Sequence, residues 1–123
     1  VEKSRLSLTY MHRTLESFRG LKNKGDEQLR NLSENGVTGI HLLGEDDLTE
    51  ILHFCFTGLN IKLLSVIPEK LILEEVEQNK NPRFPNLKSD ELILVASLEN
   101  QNLVTQLLVQ QGFRKNKNWV LFS

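Results

Sequence analysis

The segment VTGIHLLGEDDLTEILHFCFTGLNIKLLSV, from Val37 to Val66, sets the strongest limit on what this chain can fold into. After Gly36 a short apolar run, Val37, Ile40, Leu42 and Leu43, ends at Gly44 and reads as a buried strand. Glu45, Asp46 and Asp47 follow, acids that suit the positive end of a helix dipole. Leu48, Ile51, Leu52, Cys55 and Phe56 then make an apolar helical face. Gly58 reads as a helix stop, and Asn60 turns the chain into a second apolar run, Ile61, Leu63, Leu64, Val66 and Ile67, ended by Pro68. Strand, helix and strand within about 30 residues imply two parallel strands joined by a crossover helix.

The remainder of the chain extends this unit. The run LILVA, Leu92 to Ala96, is the most strand-like in the sequence. Ser97 reads as the N-cap of a helix that begins at Glu99 or Asn100, turns Leu103, Leu107 and Leu108 inward and stops at Gly112. Trp119 to Phe122 supplies a last strand. Between these, Pro68 opens either a helix to about Asn79 or a short strand over Leu71 to Leu73, and NKNPRFPNLKSD, with Pro82 and Pro85, is a loop. The expected fold is α/β, a Rossmann-like parallel sheet of about four to five strands with flanking helices.

An amphipathic linker helix is expected to precede the sheet. Leu8, Met11, Leu15 and Phe18 step by three, four and three, one stripe of a helix flanked by Arg5, Arg13 and Arg19. Gly20 and Gly25 should loosen the chain before a second short helix that Asp26 caps and Asn35-Gly36 stops. This divides residues 1–25, a linker or dimerisation helix, from residues 26–123, the α/β domain. The stripe suits either a second copy of the chain, giving a homodimer, or the protein's own domain.

Length and composition agree with one globular domain: 123 residues, 39% hydrophobic and 25% charged, with three prolines and seven glycines. The start, VEKSRL, lacks an initiator Met and any signal or transit pattern, and reads as the interior of a longer protein. A single cysteine, Cys55, allows no internal disulfide and points to a cytoplasmic setting. Lys62 and Glu69 interrupt the most hydrophobic region, so no membrane span is expected.

Ligands of open parallel sheets bind beyond the carboxyl ends of the strands, beside helix N-termini. That edge would hold Gly44, Glu45, Asp46, Ser65, Ser97 and Glu99. A dinucleotide site wants G-x-G-x-x-G, whose second glycine lets the backbone approach pyrophosphate. Here only Gly44 is present, and Glu45, Asp46 and Asp47 occupy the phosphate's place. Like charges about 4 Å apart repel by about 1 kcal/mol in water and several times that at a protein surface, against about 1 kcal/mol from a helix end. A nucleotide phosphate is therefore not the expected guest, and no cofactor is expected.

Other chemistry is thinner. His12, His41 and His53 lack metal-ligand spacing, and Cys55 falls on an inward helical face where a thiolate is disfavoured. No nucleophile, base and orienting group can be assembled, so the chain does not read as an enzyme. Arg114, Lys115 and Lys117 beside Trp119 are either a solvated turn or a small nucleic-acid contact.

Together VTGIHLLGEDDLTEI, NIKLLSVI and ELILVASLENQNLVTQLLVQQGF resemble the C-terminal Rossmann-like domain of bacterial winged helix-turn-helix transcriptional regulators related to the MarR type. The family's first turn reads like L-Y-G-A-G-E-V-A-E-I. Gly44, Glu50 and Ile51 match it, and Asp46 stands where its second glycine would be. The resemblance implies a regulator of transcription whose DNA-binding domain precedes Val1, with Glu2 to Phe18 as the linking helix and a possible small-molecule effector as partner. The rival reading is a small enzyme or nucleotide-binding domain with its cofactor above Gly44. A receiver-like signalling domain fits less well, because Ser65 and Ser97 stand where a phosphoacceptor acid and a lysine are needed.

Overall fold

The computed structural model describes residues 19–97 and 99–122. Among them a helix, α1, runs over residues 19–34. It leads into β1 (Gly39–Gly44), α2 (Asp46–His53) with a 3-10 turn over Phe54–Phe56, and β2 (Lys62–Pro68). α3 (Glu69–Glu77), β3 (Glu91–Ala96), α4 (Gln101–Gln110) and β4 (Trp119–Leu121) complete the chain. All four strands are parallel, in the order β2-β1-β3-β4.

This is the expected α/β sheet, and its burial explains the apolar runs. Leu92, Ile93, Leu94, Val95 and Ala96 are all buried because helices cover both faces of the sheet. Ile40, Leu42, Leu92 and Leu94 pack with Leu29 of α1 and Leu48 and Leu52 of α2. Leu43, Ile93, Val95 and Trp119 pack with Val104 and Leu108 of α4 on the other side. Each fully buried leucine contributes about 1.5–3 kcal/mol, so these two layers carry most of the fold's stability. Inside α4 it is Val104 and Leu108 that are fully buried, while Leu103 and Leu107 lie at the margin of the core.

Several local expectations change. Gly20 and Gly25 do not break α1, and Asp26 is an interior helical residue bonded to Lys22 at 3.0 Å rather than a cap. A Cβ on Gly25 would stand 2.7 Å from both Cys55 Sγ and Leu52 Cδ2. The glycine is there so that α1 can lie close to α2, which outweighs the roughly 1 kcal/mol that glycine costs a helix interior. One helix therefore crosses the expected boundary between residues 25 and 26.

Residues 69–77 are helical, not a strand. The loop over residues 78–90 is held down by Phe84, whose ring meets Phe113 edge-on at 5.8 Å, and by Gln111, which donates to the Pro82 carbonyl at 2.6 Å. The stripe residues Leu8, Met11, Leu15 and Phe18 lie outside the described residues.

Candidate functional site

In this strand order β1 is followed by β2 on one side and flanked by β3 on the other, which puts the topological switch point at the carboxyl ends of β1 and β3. Gly44 ends β1 there, in register with Pro68 of β2 and Ala96 of β3. The residues that follow the three strands are Glu45, Glu69 and Ser97, and hydrogen bonds join their ends.

Ser97, 2% exposed, donates its hydroxyl proton to the Glu69 carboxylate, itself 8% exposed. Asn100 Nδ2 donates to the other Glu69 oxygen at 2.8 Å. Glu45 donates its N–H to the Ala96 carbonyl at 3.2 Å, and its own carboxylate accepts the N–H of Glu99 at 3.3 Å. Asp46 is the first residue of α2 and Asp47 is exposed beside it.

The expected residues Gly44, Glu45, Ser97 and Glu99 are therefore brought together. Gly44 is required there because a Cβ would collide with the Ala96 backbone. Ser97 is no N-cap: Asn100 holds that position of α4, and Ser97 is turned toward a carboxylate. A serine beside a carboxylate pairs a potential nucleophile with a base, and here both are buried, Ser97 at 2% exposure.

Ser65 leaves the group. β2 runs on to Pro68, so Ser65 sits inside the strand opposite His41 of β1. Pro68 is tolerated there because an edge position has no second ladder for its missing N–H. The Ser65 hydroxyl lies 2.6 Å from His41 Nδ1, and His41 Nε2 lies 3.9 Å from Glu91 Oε1. Burial lowers the His41 pKa, and the Glu91 charge opposes that shift. Serine, histidine and glutamate thus form a row across β2, β1 and β3. The carboxylate is beyond hydrogen-bond reach of the ring, so the row ties strands together without forming a relay.

The weaker candidates resolve in the same direction. The Cys55 thiol, buried against α1, is pushed up to about 11, first by burial and then by the Asp26 charge, which keeps it protonated. Arg114, Lys115 and Lys117 form an exposed turn, but Trp119 beside them is buried in the core and has no face to offer a base. Among the described residues no group of three or more His, Cys, Asp and Glu could hold a metal ion, and no helix is long and apolar enough to cross a membrane.

Glu69 and Asn100 are the site residues that sequence reasoning missed. The available signal was position: Glu69 is the first residue after β2, as Glu45 is after β1 and Ser97 after β3. No known protein family matches the chain, and no curated protein or solved structure is similar to it.

Proposed function

We propose that this chain is a regulatory domain and not an enzyme: the effector-sensing or assembly part of a winged helix-turn-helix transcriptional regulator whose DNA-binding domain precedes Val1. The observation that carries this reading is the pair Glu45 and Glu99. Glu45 stands directly before α2, where a nucleotide phosphate would sit, and its carboxylate also accepts the N–H of Glu99 across the switch point. Glu69 adds a second carboxylate at the same edge, bonded to Ser97 and Asn100. The chain's own carboxylates stand in for the anion, so the fold of a nucleotide site serves as scaffold. The link to transcription comes from the resemblance of residues 37–51, 60–67 and 91–113 to that regulator family.

The second reading, a small nucleotide- or cofactor-binding enzyme domain, draws on the doubly wound strand order and a glycine at the end of β1. Thermal denaturation with dinucleotides, nucleotide sugars and coenzyme A separates the two. A ligand at about 100 times its dissociation constant stabilises by about 2.7 kcal/mol, which is readily seen. The regulator reading expects no shift, and a shift abolished by Glu45→Arg would transfer the assignment to the second reading. The coding sequence upstream of Val1 tests the remainder: absence of a helix-turn-helix pattern there removes the link to DNA.

A further inference from the structure

Six cations gather at the edge of the sheet opposite the switch point. Lys80, Arg83 and Lys88 stand in the loop that leads to the amino end of β3, and Arg114, Lys115 and Lys117 in the turn before β4. All six are exposed. Residues 78–88 and 111–118 contain no acid, and none follows Glu99, whereas the other nine cations of the chain face sixteen acids. Among the described residues no carboxylate lies within ion-pair distance of any of the six. Lys80 and Lys88 mark the margins, where the acids Glu77 and Asp90 begin.

The two segments are held against each other. Phe84 meets Phe113 edge-on, and these rings are the sequence neighbours of Arg83 and Arg114. Gln111 donates to the Pro82 carbonyl at 2.6 Å. The Arg114 N–H is fixed by Asn118 Oδ1 at 2.9 Å and its carbonyl by the N–H groups of Lys117 and Asn118, closing a turn in which Asn116 is left-handed at φ 66°. Between the segments a cleft of about 270 Å³ is lined in part by Asn86, Gln111 and Asn118. Folding thus gathers like charges that repel one another, an arrangement that a polyanion relieves.

We propose that this surface binds the phosphodiester backbone of a nucleic-acid duplex without reading its sequence. Cations on a fixed surface neutralise successive phosphates and release their counterions. Three observations select this partner. Trp119 is buried beneath the turn and Phe84 packs on Phe113, so no ring is presented for unpaired bases to stack on, which disfavours a single strand. The exposed large apolar side chains among the described residues, Phe54, Leu64, Val66, Leu71 and Val109, all lie outside both segments. The surface therefore lacks the apolar core of a protein interface and an anchor for a membrane. Exposed Asn81, Asn86 and Asn116 set amide donors among the cations, groups suited to phosphate oxygens. The carboxylates of the switch point stand at the far end of the six-residue β3, about 15–20 Å away and beyond the Debye length. The surface is defined by charge and does not rest on the regulator reading.

Fluorescence anisotropy of a labelled DNA duplex of about 20 base pairs and arbitrary sequence tests this on the full chain, between about 25 and 150 mM salt. Contact with about four to six phosphates gives a slope of log affinity against log salt of about −3.5 to −5.5. The double variant Arg114→Gln, Lys117→Gln should bind at least about tenfold more weakly, with a slope shallower by about 2. Residues 1–18 carry cations of their own, so the double variant Arg5→Gln, Arg13→Gln is the control and should bind like wild type. Circular dichroism checks that both variants fold. A single strand of the same length, vesicles of phosphatidylserine and phosphatidylcholine, and polyglutamate are compared at equal salt, and each should bind more weakly than the duplex. No binding of the duplex at the lowest salt overturns the proposal. So does an Arg114, Lys117 variant that binds like wild type, a loss confined to the Arg5, Arg13 variant, or any of the three comparison polyanions held as tightly as the duplex.

Discussion

Glu69 and Ser97, the residues that follow β2 and β3, meet across the end of β1, the serine hydroxyl donating to the glutamate carboxylate. The contact spans β1 at its carboxyl end, where Gly44 leaves the strand without a side chain. A buried carboxylate needs its full complement of donors, and here these are Ser97 and Asn100. Ser97→Ala removes one of them without changing the backbone, leaving an acceptor short of a partner at 8% exposure. The expected loss is about 1–3 kcal/mol, read as a lower urea midpoint at unchanged slope. An unaltered midpoint would mean that the contact carries no stability.

Gly44→Ala acts at the same place by a different cause. The added methyl is directed at the carbonyl of Ala96, a main-chain atom held in the β1–β3 ladder, so neither strand can yield without breaking the register Gly44 to Ala96. Overpacking against backbone should cost about 3 kcal/mol or more, which is a large part of a small domain's total stability. Loss of cooperative thermal unfolding is the expected result. A variant that melts within about 2 °C of wild type would contradict the close approach of the two strand ends.

At Gly25 the obstruction is a side chain, and it can be relieved. Gly25→Ala forces a methyl into Cys55 Sγ and Leu52 Cδ2, and should destabilise by about 1–3 kcal/mol despite alanine's better helix propensity. Cys55→Ala removes one of the two colliding atoms. The double variant should therefore be more stable than the sum of the single effects, by about 0.5 kcal/mol or more in a double-mutant cycle. Additive effects would argue that α1 and α2 do not pack through this pair.

These three positions also mark where the sequence was legible and where it was not. The strands and helices around Gly44 could be read because burial on two faces writes itself into local periodicity, as in Leu92 to Ala96. Gly25 was misread as a breaker because its cause, the neighbouring Cys55, is thirty positions away. Ser97 was misread as a cap for the same reason: a serine before a helix satisfies the local rule, while its partner Glu69 lies 28 residues upstream. Ser65 was grouped with the strand ends although the apolar run continues to Ile67, and the strand reaches Pro68, which its place at the sheet edge tolerates. Contacts between distant residues decided the site, and periodicity does not encode them.

Cys55 offers a probe of the same packing. Its Sγ donates toward the Lys22 carbonyl at 3.4 Å, and its pKa of about 11 leaves little thiolate at neutral pH. In the native state it should react with a disulfide reagent such as dithionitrobenzoate only as fast as the protein opens, and the rate should rise with urea as the unfolded fraction does. Rapid, stoichiometric labelling without denaturant would show that α1 does not cover the thiol.

His41 gives the fold a dependence on acidity whose sign follows from its surroundings. The ring lies in the centre strand between Ser65 and Glu91, and burial lowers its pKa below the ordinary value of 6.5. The unfolded chain therefore takes up a proton at His41 at a higher pH than the folded protein does. In the window below 6.5 the unfolded state binds more protons, so stability contributed by neutral His41 is fully present above that pH and is lost as pH falls through the folded value. Glu91, 3.9 Å from Nε2, limits the loss because it favours the charged ring. Urea midpoints should accordingly fall between about pH 7.5 and pH 5, and His41→Gln, which keeps a polar side chain without the titration, should flatten that fall. An identical pH slope in wild type and variant would assign the acid sensitivity to other groups. A midpoint that rises on acidification would mean that Glu91, not burial, controls the ring.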